Sequence, residues 1–258
     1  GNSAPAAGRL NCSPERTVSA LSEKNSNEKR KIVVVQGRDI YEYRAFYKKF
    51  ERAKYISHLD LYRAVQRTFQ RADIPVWFTE GYNPHIYLTF PMPIFLGCEG
   101  VEESFDFRTT VDMEPEELME KLNAAFPEGI RVTRMAAPVH KATEIARARY
   151  TLLVSSEGKT GEELRGLWEA FASSPEILAE KRTKKGMKTV DLKPMLFSSQ
   201  AEAEGEALRL TLETACGVAE NLSPVLLIDT SPAGNGFEAD YRLIRRDGMY
   251  LEDGEAFC

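Results

Sequence analysis

The sequence predicts an α+β protein made of two tandem ferredoxin-like units, each a βαββαβ run with an antiparallel sheet. Three observations carry this. Short segments alternate apolar and polar residues, as half-buried strands do. The segments between them space apolar residues at helical intervals. The order of the two patterns in the first half of the chain then recurs in the second.

Residues 1–40 are rich in Ser, Asn, Ala, Lys and Glu and read as a flexible leader or linker, broken by the apolar run Ile32–Val35. The chain opens on Gly1, so this stretch is either a native leader or the start of a fragment. From Tyr41 the pattern is regular. Tyr43, Ala45 and Tyr47 alternate with Arg44, Phe46 and Lys48, which predicts a strand running towards Ile56. Ser57 is a suitable N-cap, and Asp60 three residues on reaches back to it in a shortened capping box. The helix that follows lines up Leu61, Val65, Phe69 and Ala72. Pro75 stops it. Val76–Phe78 and Ile86–Phe90 read as extended segments on either side of a Gly81-Tyr82-Asn83-Pro84-His85 turn. Ser104–Val111 is the next strand, Pro115 opens a helix over Glu116–Phe126, and Ile130–Met135 is the last strand of the unit.

In the second unit Arg149–Ser155 reads as a strand and Glu162–Ala172 as a helix bearing Leu164, Leu167, Trp168 and Phe171. Ile177–Arg182 is a short strand, Ala207–Thr214 a longer one, Leu222–Asp229 a brief helix and Tyr241–Arg245 the final strand. The expected division is a leader (1–40), a first unit (41–140) and a second (145–258).

At 258 residues the chain can bury one large core or two modest ones. A net charge of −5 argues against a general coat for nucleic acid or acidic membranes, yet leaves room for a local basic patch. The four cysteines, Cys12, Cys98, Cys216 and Cys258, lie far apart with no metal-ligand spacing. That pattern suits reduced thiols in a cytoplasm. No apolar run has the length of a membrane span, so a cytoplasmic location with no membrane partner is expected. Neither a metal nor a cofactor is expected.

Two of the three histidines fall in the first helix and in the turn after it. His58 and His85 are candidates for general acid–base work, because imidazole titrates near neutrality. With Asn83 they are expected to form a polar pocket that grips a specific group, and Asp60 and Tyr82 are counted among the substrate-binding residues. The plainer reading of Asp60 is a helix cap, and of Asn83-Pro84 a turn starter. Arg63, Arg67 and Arg71 recur every fourth residue, so their guanidiniums step along one helix face at about 6 Å. Such a row can bracket successive phosphates, or can be a solvated face. Residues 181–193 hold six Lys or Arg against one Asp. Arg182, Lys184, Lys185 and Lys188 are therefore expected to bind an anionic substrate, with a solubilising loop as the alternative. Tyr43, Tyr47, Phe105 and Phe107 could stack bases on an exposed sheet, although alternating aromatics are more often core.

The segments Tyr55-Ile56-Ser57-His58-Leu59-Asp60, Arg71-Ala72-Asp73-Ile74-Pro75 and Gly81–His85 resemble the radical SAM-linked protein family, a bacterial domain of unknown function found fused to or encoded beside radical SAM enzymes. Arg182-Thr183-Lys184-Lys185-Gly186, Val190–Pro194 and Arg245–Tyr250 extend the resemblance over about Tyr43 to Tyr250. The resemblance implies a radical SAM enzyme as partner. The chain lacks the three closely spaced cysteines that hold such an enzyme's cluster, so it is not itself that catalyst. The expected function is thus a non-catalytic accessory that binds RNA or another anionic macromolecule. Tandem ferredoxin-like units with a histidine near the first helix are also similar to CRISPR RNA-processing endonucleases. That makes a metal-independent nuclease using His58 and His85 one alternative, although the glycine-rich loop of those enzymes is missing. A protein–protein adaptor that touches no nucleic acid is the other.

Overall fold

The computed structural model describes residues 32–35, 38–183, 186–231 and 239–258. β1 (Ile32–Val35) pairs antiparallel with the start of β2 (Arg38–Lys49), inside the stretch expected as a leader. The expectation for residues 1–31 lies outside the described residues. β2 stops at Lys49, well before Ile56: Phe50 N donates to Gly129 O, and the chain turns into a 3-10 helix over Glu51–Tyr55. α1 (His58–Arg71) follows and buries Leu61, Val65 and Phe69, the stripe its spacing predicts. The segments around the Gly81–His85 turn form an irregular hairpin. Phe78 bridges Ile86, and Leu88–Thr89 pairs as β3 with β4 (Glu99–Thr109). α2 (Pro115–Ala125) and β5 (Ile130–Ala136) complete the first half.

The second half runs β6 (Arg147–Ser156), α3 (Gly161–Ala172), β7 (Leu178–Thr183), β8 (Gly186–Asp191), β9 (Leu196–Glu204), β10 (Ala207–Ala215), α4 (Pro224–Thr230) and β11 (Ala239–Tyr250). One expectation needs correction here. The segment expected at Ile177–Arg182 is a strand, but it pairs with β8 in a separate two-stranded sheet. The sheet position beside β10 is taken by β9. Its sequence hides the strand because Ser199, Ala201 and Ala203 are what it turns towards α3, with no large apolar residue to mark the face. Trp168 Nε1 donates to Ser199 Oγ across that contact at 2.7 Å.

The strands order themselves β5–β2–β4–β3 in the first half and β11–β6–β10–β9 in the second, and every neighbouring pair within a half is antiparallel. Tyr43, Ala45, Tyr47, Phe105 and Phe107 pack beneath α1 and α2 in one core. Their aromatic rings are therefore buried under helices, where no base can stack. Tyr150, Leu152, Val154, Leu208, Leu210 and Leu212 pack with Leu164, Trp168 and Leu227 in the other.

The two halves share one nine-stranded sheet, joined where β4 and β11 run parallel at Glu99–Gly100 and Arg245–Arg246. Beside that join lies an ion pair: Arg246 Nε donates to Glu103 Oε1 at 2.8 Å, and its Nη2 donates to Glu103 Oε2 and to Met92 O. Both side chains are 2% exposed. Gly100 makes the room, since a Cβ there would lie 2.3 Å from Glu103 Cγ. Glu103 shares its face of β4 with the core rings Phe105 and Phe107, and Arg246 faces the same way as the core ring of Tyr150 opposite it. The α-helices of both halves thus pack on one side of the sheet, and among the described residues no α-helix packs on the other.

Removing one member of a buried pair strands the other. Arg246→Ala should cost about 3–5 kcal/mol, whereas Arg246→Met with Glu103→Leu should cost far less. Urea unfolding of both variants checks this; equal losses would show that the pair is not what the join depends on.

Candidate functional site

Ser57 sits in an extended conformation at the N-terminus of α1, and its Oγ accepts from Asp60 N at 3.1 Å. The same hydroxyl donates to Asp60 Oδ2 at 2.7 Å, while Arg63 Nη1 donates to Asp60 Oδ1 at 3.3 Å. The Ser57 hydroxyl, with Arg63 second, holds the Asp60 carboxyl below the usual carboxylate range. Asp60 is thereby engaged as a cap.

His58 stands edge-on to Phe90, with ring centroids 5.0 Å apart at 89°. Partial burial, and then the nearby Lys49 ammonium, push its imidazole below its ordinary pKa. Lys49 is wholly buried at the end of β2. Its Nζ donates to Lys54 O at 3.3 Å and Ile56 O at 3.1 Å, which pins the segment leading into α1. Burial lowers the Lys49 pKa, while Glu103 opposes the shift. His58 thus borders the charged junction between the halves.

The Gly81–His85 turn caps the irregular hairpin. Thr79 N donates to His85 O at 2.8 Å, His85 N to Thr79 Oγ1 at 3.2 Å, and His85 Nδ1 lies 3.0 Å from Thr79 Oγ1 and 3.1 Å from Asn83 O. Gly81 has φ of 124°, a value side chains disfavour. Tyr82 is fully exposed, and Asn83 and His85 are exposed beside it. The structure brings Asn83 and His85 together through the turn itself. It joins neither to His58 by a hydrogen bond or ring contact among the described residues. Nor does any group of three His, Cys, Asp or Glu stand ready for a metal among them.

The arginine row is largely spent. Arg63 is bound to Asp60, and Arg71 Nη2 donates to Ala125 O at 2.7 Å, tying α1 to the end of α2. Arg67 is left as an exposed guanidinium outside those contacts. In the basic segment Arg182 lies on β7 and Lys188 is exposed on β8, directly opposite Lys181. Lys184 and Lys185 lie outside the described residues. Two surface clefts, of about 740 Å³ between α3 and β9 and about 610 Å³ beside Trp77 and Asp112, are lined by none of these residues.

Lys49, Glu103, Arg246 and Phe90 escaped the sequence reading as members of one neighbourhood. A signal was present: Glu103 stands in the same period-two register as Phe105 and Phe107, and Lys49 in that of Tyr43, Ala45 and Tyr47. A charge on a core face calls for a buried partner. Around the junction, burial pushes the Cys98 thiol up to about 12, so that thiol stays protonated near neutrality.

Fold and site define an α+β protein on a mainly antiparallel sheet, with exposed polar chemistry at one helix start, one hairpin tip and one basic arm. The chain belongs to the family described as uncharacterized protein conserved in bacteria (DUF2344), whose model matches residues 42–224. That span runs from β2 into the start of α4. No curated protein matches. Among solved structures, a chain of a Cbf5-Nop10-Gar1 complex is 12% identical over 73% of this chain and 45% of that one, with a TM-score of 0.42. The present chain thus spans less than half of that protein. An unknown protein from Galdieria sulphuraria is 10% identical over 78% of this chain and 97% of that one, with a TM-score of 0.23. Likeness at these scores carries no argument. No helix among the described residues is long and apolar enough to cross a membrane.

Two outcomes follow from the helix start. Ser57→Ala should cost about 1 kcal/mol and let the Asp60 pKa rise towards its ordinary value, read by carboxyl NMR titration. His58 has a folded pKa below its unfolded 6.5, so the unfolded chain takes up the proton first. Stability contributed by His58 is present above about pH 6.5 and is lost as pH falls through that value towards the folded pKa. His58→Gln should flatten that part of the pH dependence of the urea midpoint.

Proposed function

We propose that this chain is a non-catalytic accessory protein that binds RNA, or a similarly anionic macromolecule, and presents it to a radical SAM enzyme. The observation that carries the binding half is the β7–β8 arm. Two strands without a third are marginally stable in water. The backbone register of this pair sets Lys181 opposite Lys188. The root is nevertheless firm. Ile177, Ala179 and Leu192 are buried in the second core, and Asp191 Oδ1 accepts from Ile177 N at 2.8 Å and Lys193 N at 3.0 Å. Gly186–Thr189 is exposed. A rooted arm whose sequence holds six Lys or Arg against one Asp over residues 181–193, on a chain of net charge −5, suits a polyanionic partner.

The radical SAM half of the reading rests on resemblance in Ser57–Asp60, Gly81–His85 and Arg245–Tyr250. We also read each half as a ferredoxin-like unit. What supports this is that, with β1 set aside in the first half and the inserted β7–β8 arm in the second, both halves place their fourth, first, third and second strands side by side in that order. A metal-independent nuclease is the second reading. The lowered pKa of His58 favours it, because a neutral imidazole can take a proton near neutrality.

Fluorescence anisotropy with single-stranded RNA at graded salt tests the first reading. The variant combining Lys181→Glu, Arg182→Glu and Lys188→Glu should bind at least about ten-fold more weakly, with a salt slope shallower by roughly 2. Unchanged binding would remove the arm from the argument. Recovery of a radical SAM enzyme with the tagged chain is expected. RNA cleavage in the presence of a chelator, abolished in His58→Ala, would favour the nuclease instead.

A further inference from the structure

The helix-free side of the sheet holds a second like-charge pair, far from the arm in sequence. Lys48 on β2 lies directly opposite Arg131 on β5, and both are exposed. Facing residues of an antiparallel pair hold their Cβ atoms about 5 Å apart, so the two cations repel. Among the described residues, no hydrogen bond or ion pair engages either side chain.

A third cation is brought to the same spot by a defect in the ladder. The register shifts between Phe46 and Tyr47, so that Phe46 faces Arg134 while Tyr47 faces Val132. Thr133 is the extra residue, and its Oγ1 donates to Phe46 O at 3.3 Å, which holds the bulge in place. In a regular strand, residues 131 and 134 would point to opposite faces. The bulge turns them to the same one, the face that Phe46 and Lys48 share on β2. Bulges commonly re-aim a side chain in this way beside functional sites. The Arg134 guanidinium is then fixed over the Phe46 ring, 3.5 Å from its centroid, with one nitrogen paired to Glu102 at 3.5 Å. Ser104, opposite Phe46 on β4, adds a buried hydroxyl without a hydrogen-bond partner.

We propose that Lys48, Arg131 and Arg134 form a phosphate-binding site, with the Ser104 hydroxyl at its inner border. A tetrahedral dianion or a phosphodiester relieves the Lys48–Arg131 repulsion, and the Arg134 fork offers paired donors to two of its oxygens. The phosphate can be free or part of a nucleic-acid backbone. The site does not depend on the accessory reading given above, and it uses none of the residues of the β7–β8 arm.

The test is thermal unfolding at low ionic strength, with inorganic phosphate titrated against chloride at matched ionic strength. Phosphate should raise the midpoint of the wild-type protein by about 2–4 °C. The Lys48→Gln/Arg131→Gln variant should start from a higher midpoint, because the repulsion is gone, and should not respond to phosphate. Amide shifts of Lys48, Arg131 and Thr133 should move with phosphate in the wild-type protein alone. No phosphate-specific response in the wild type, or an equal response in both proteins, overturns the site. If single-stranded RNA also binds at least about five-fold more weakly to the variant, the phosphate is a backbone one. If phosphate binds and RNA does not, the site stands and the RNA reading falls.

Discussion

The ion pair between Glu103 and Arg246 is the contact on which the arrangement of the two halves depends. The parallel ladder at the join is short, pairing Glu99 with Arg245 and Gly100 with Arg246 among the described residues. Coulomb attraction between two nearly water-free charges is strong, and so is the cost of removing them from water. The guanidinium fork meets both carboxylate oxygens and its spare donor reaches Met92 O, which offsets that cost. An apolar seam would let the sheet edges slide. A bidentate pair has one geometry, and it fixes which part of β11 meets which part of β4.

That fixed register reaches the polar residues at the start of α1. Met92, Ile94, Phe95 and Cys98 pack into the second core, although they belong to the chain between β3 and β4. Phe90, just before them, supports the His58 ring. Lys49 anchors the chain into α1 from the other direction. The Ser57–Asp60 motif is therefore held at once by its own cap, by a buried ammonium and by the segment that crosses between the halves. Position, more than local flexibility, is what the fold supplies to these side chains.

Much of this was legible in the amino-acid order. The α1 stripe and its Ser57 cap follow directly from spacing, and the alternation around Tyr43 and Phe105 marks strands whatever lies above them. β9 was hidden, because a strand that turns Ser199, Ala201 and Ala203 to a helix carries no apolar signature. The end of β2 is illegible in the sequence for a different reason: Gly129 O accepts from Phe50 N, and that partner is distant in sequence. The arginine row shows the same limit. Spacing placed Arg63, Arg67 and Arg71 on one face, but only the fold reveals that Ala125 O uses Arg71. The Lys48–Arg131 pair needed the register, and Arg134 the bulge, neither of which a single strand reports.

The pair at the join also joins distant stretches of chain: 143 residues separate Glu103 from Arg246. During synthesis at about 5–20 residues per second, Glu103 leaves the ribosome roughly 7–30 s ahead of its counter-ion. Throughout that interval the growing first half has to keep a carboxylate in water that its finished form encloses. Within the first half the buried Lys49 ammonium is the cation that feels this carboxylate, and the bidentate partner is still to come. The contact that fixes the seam is thus completed by the strand that is made last.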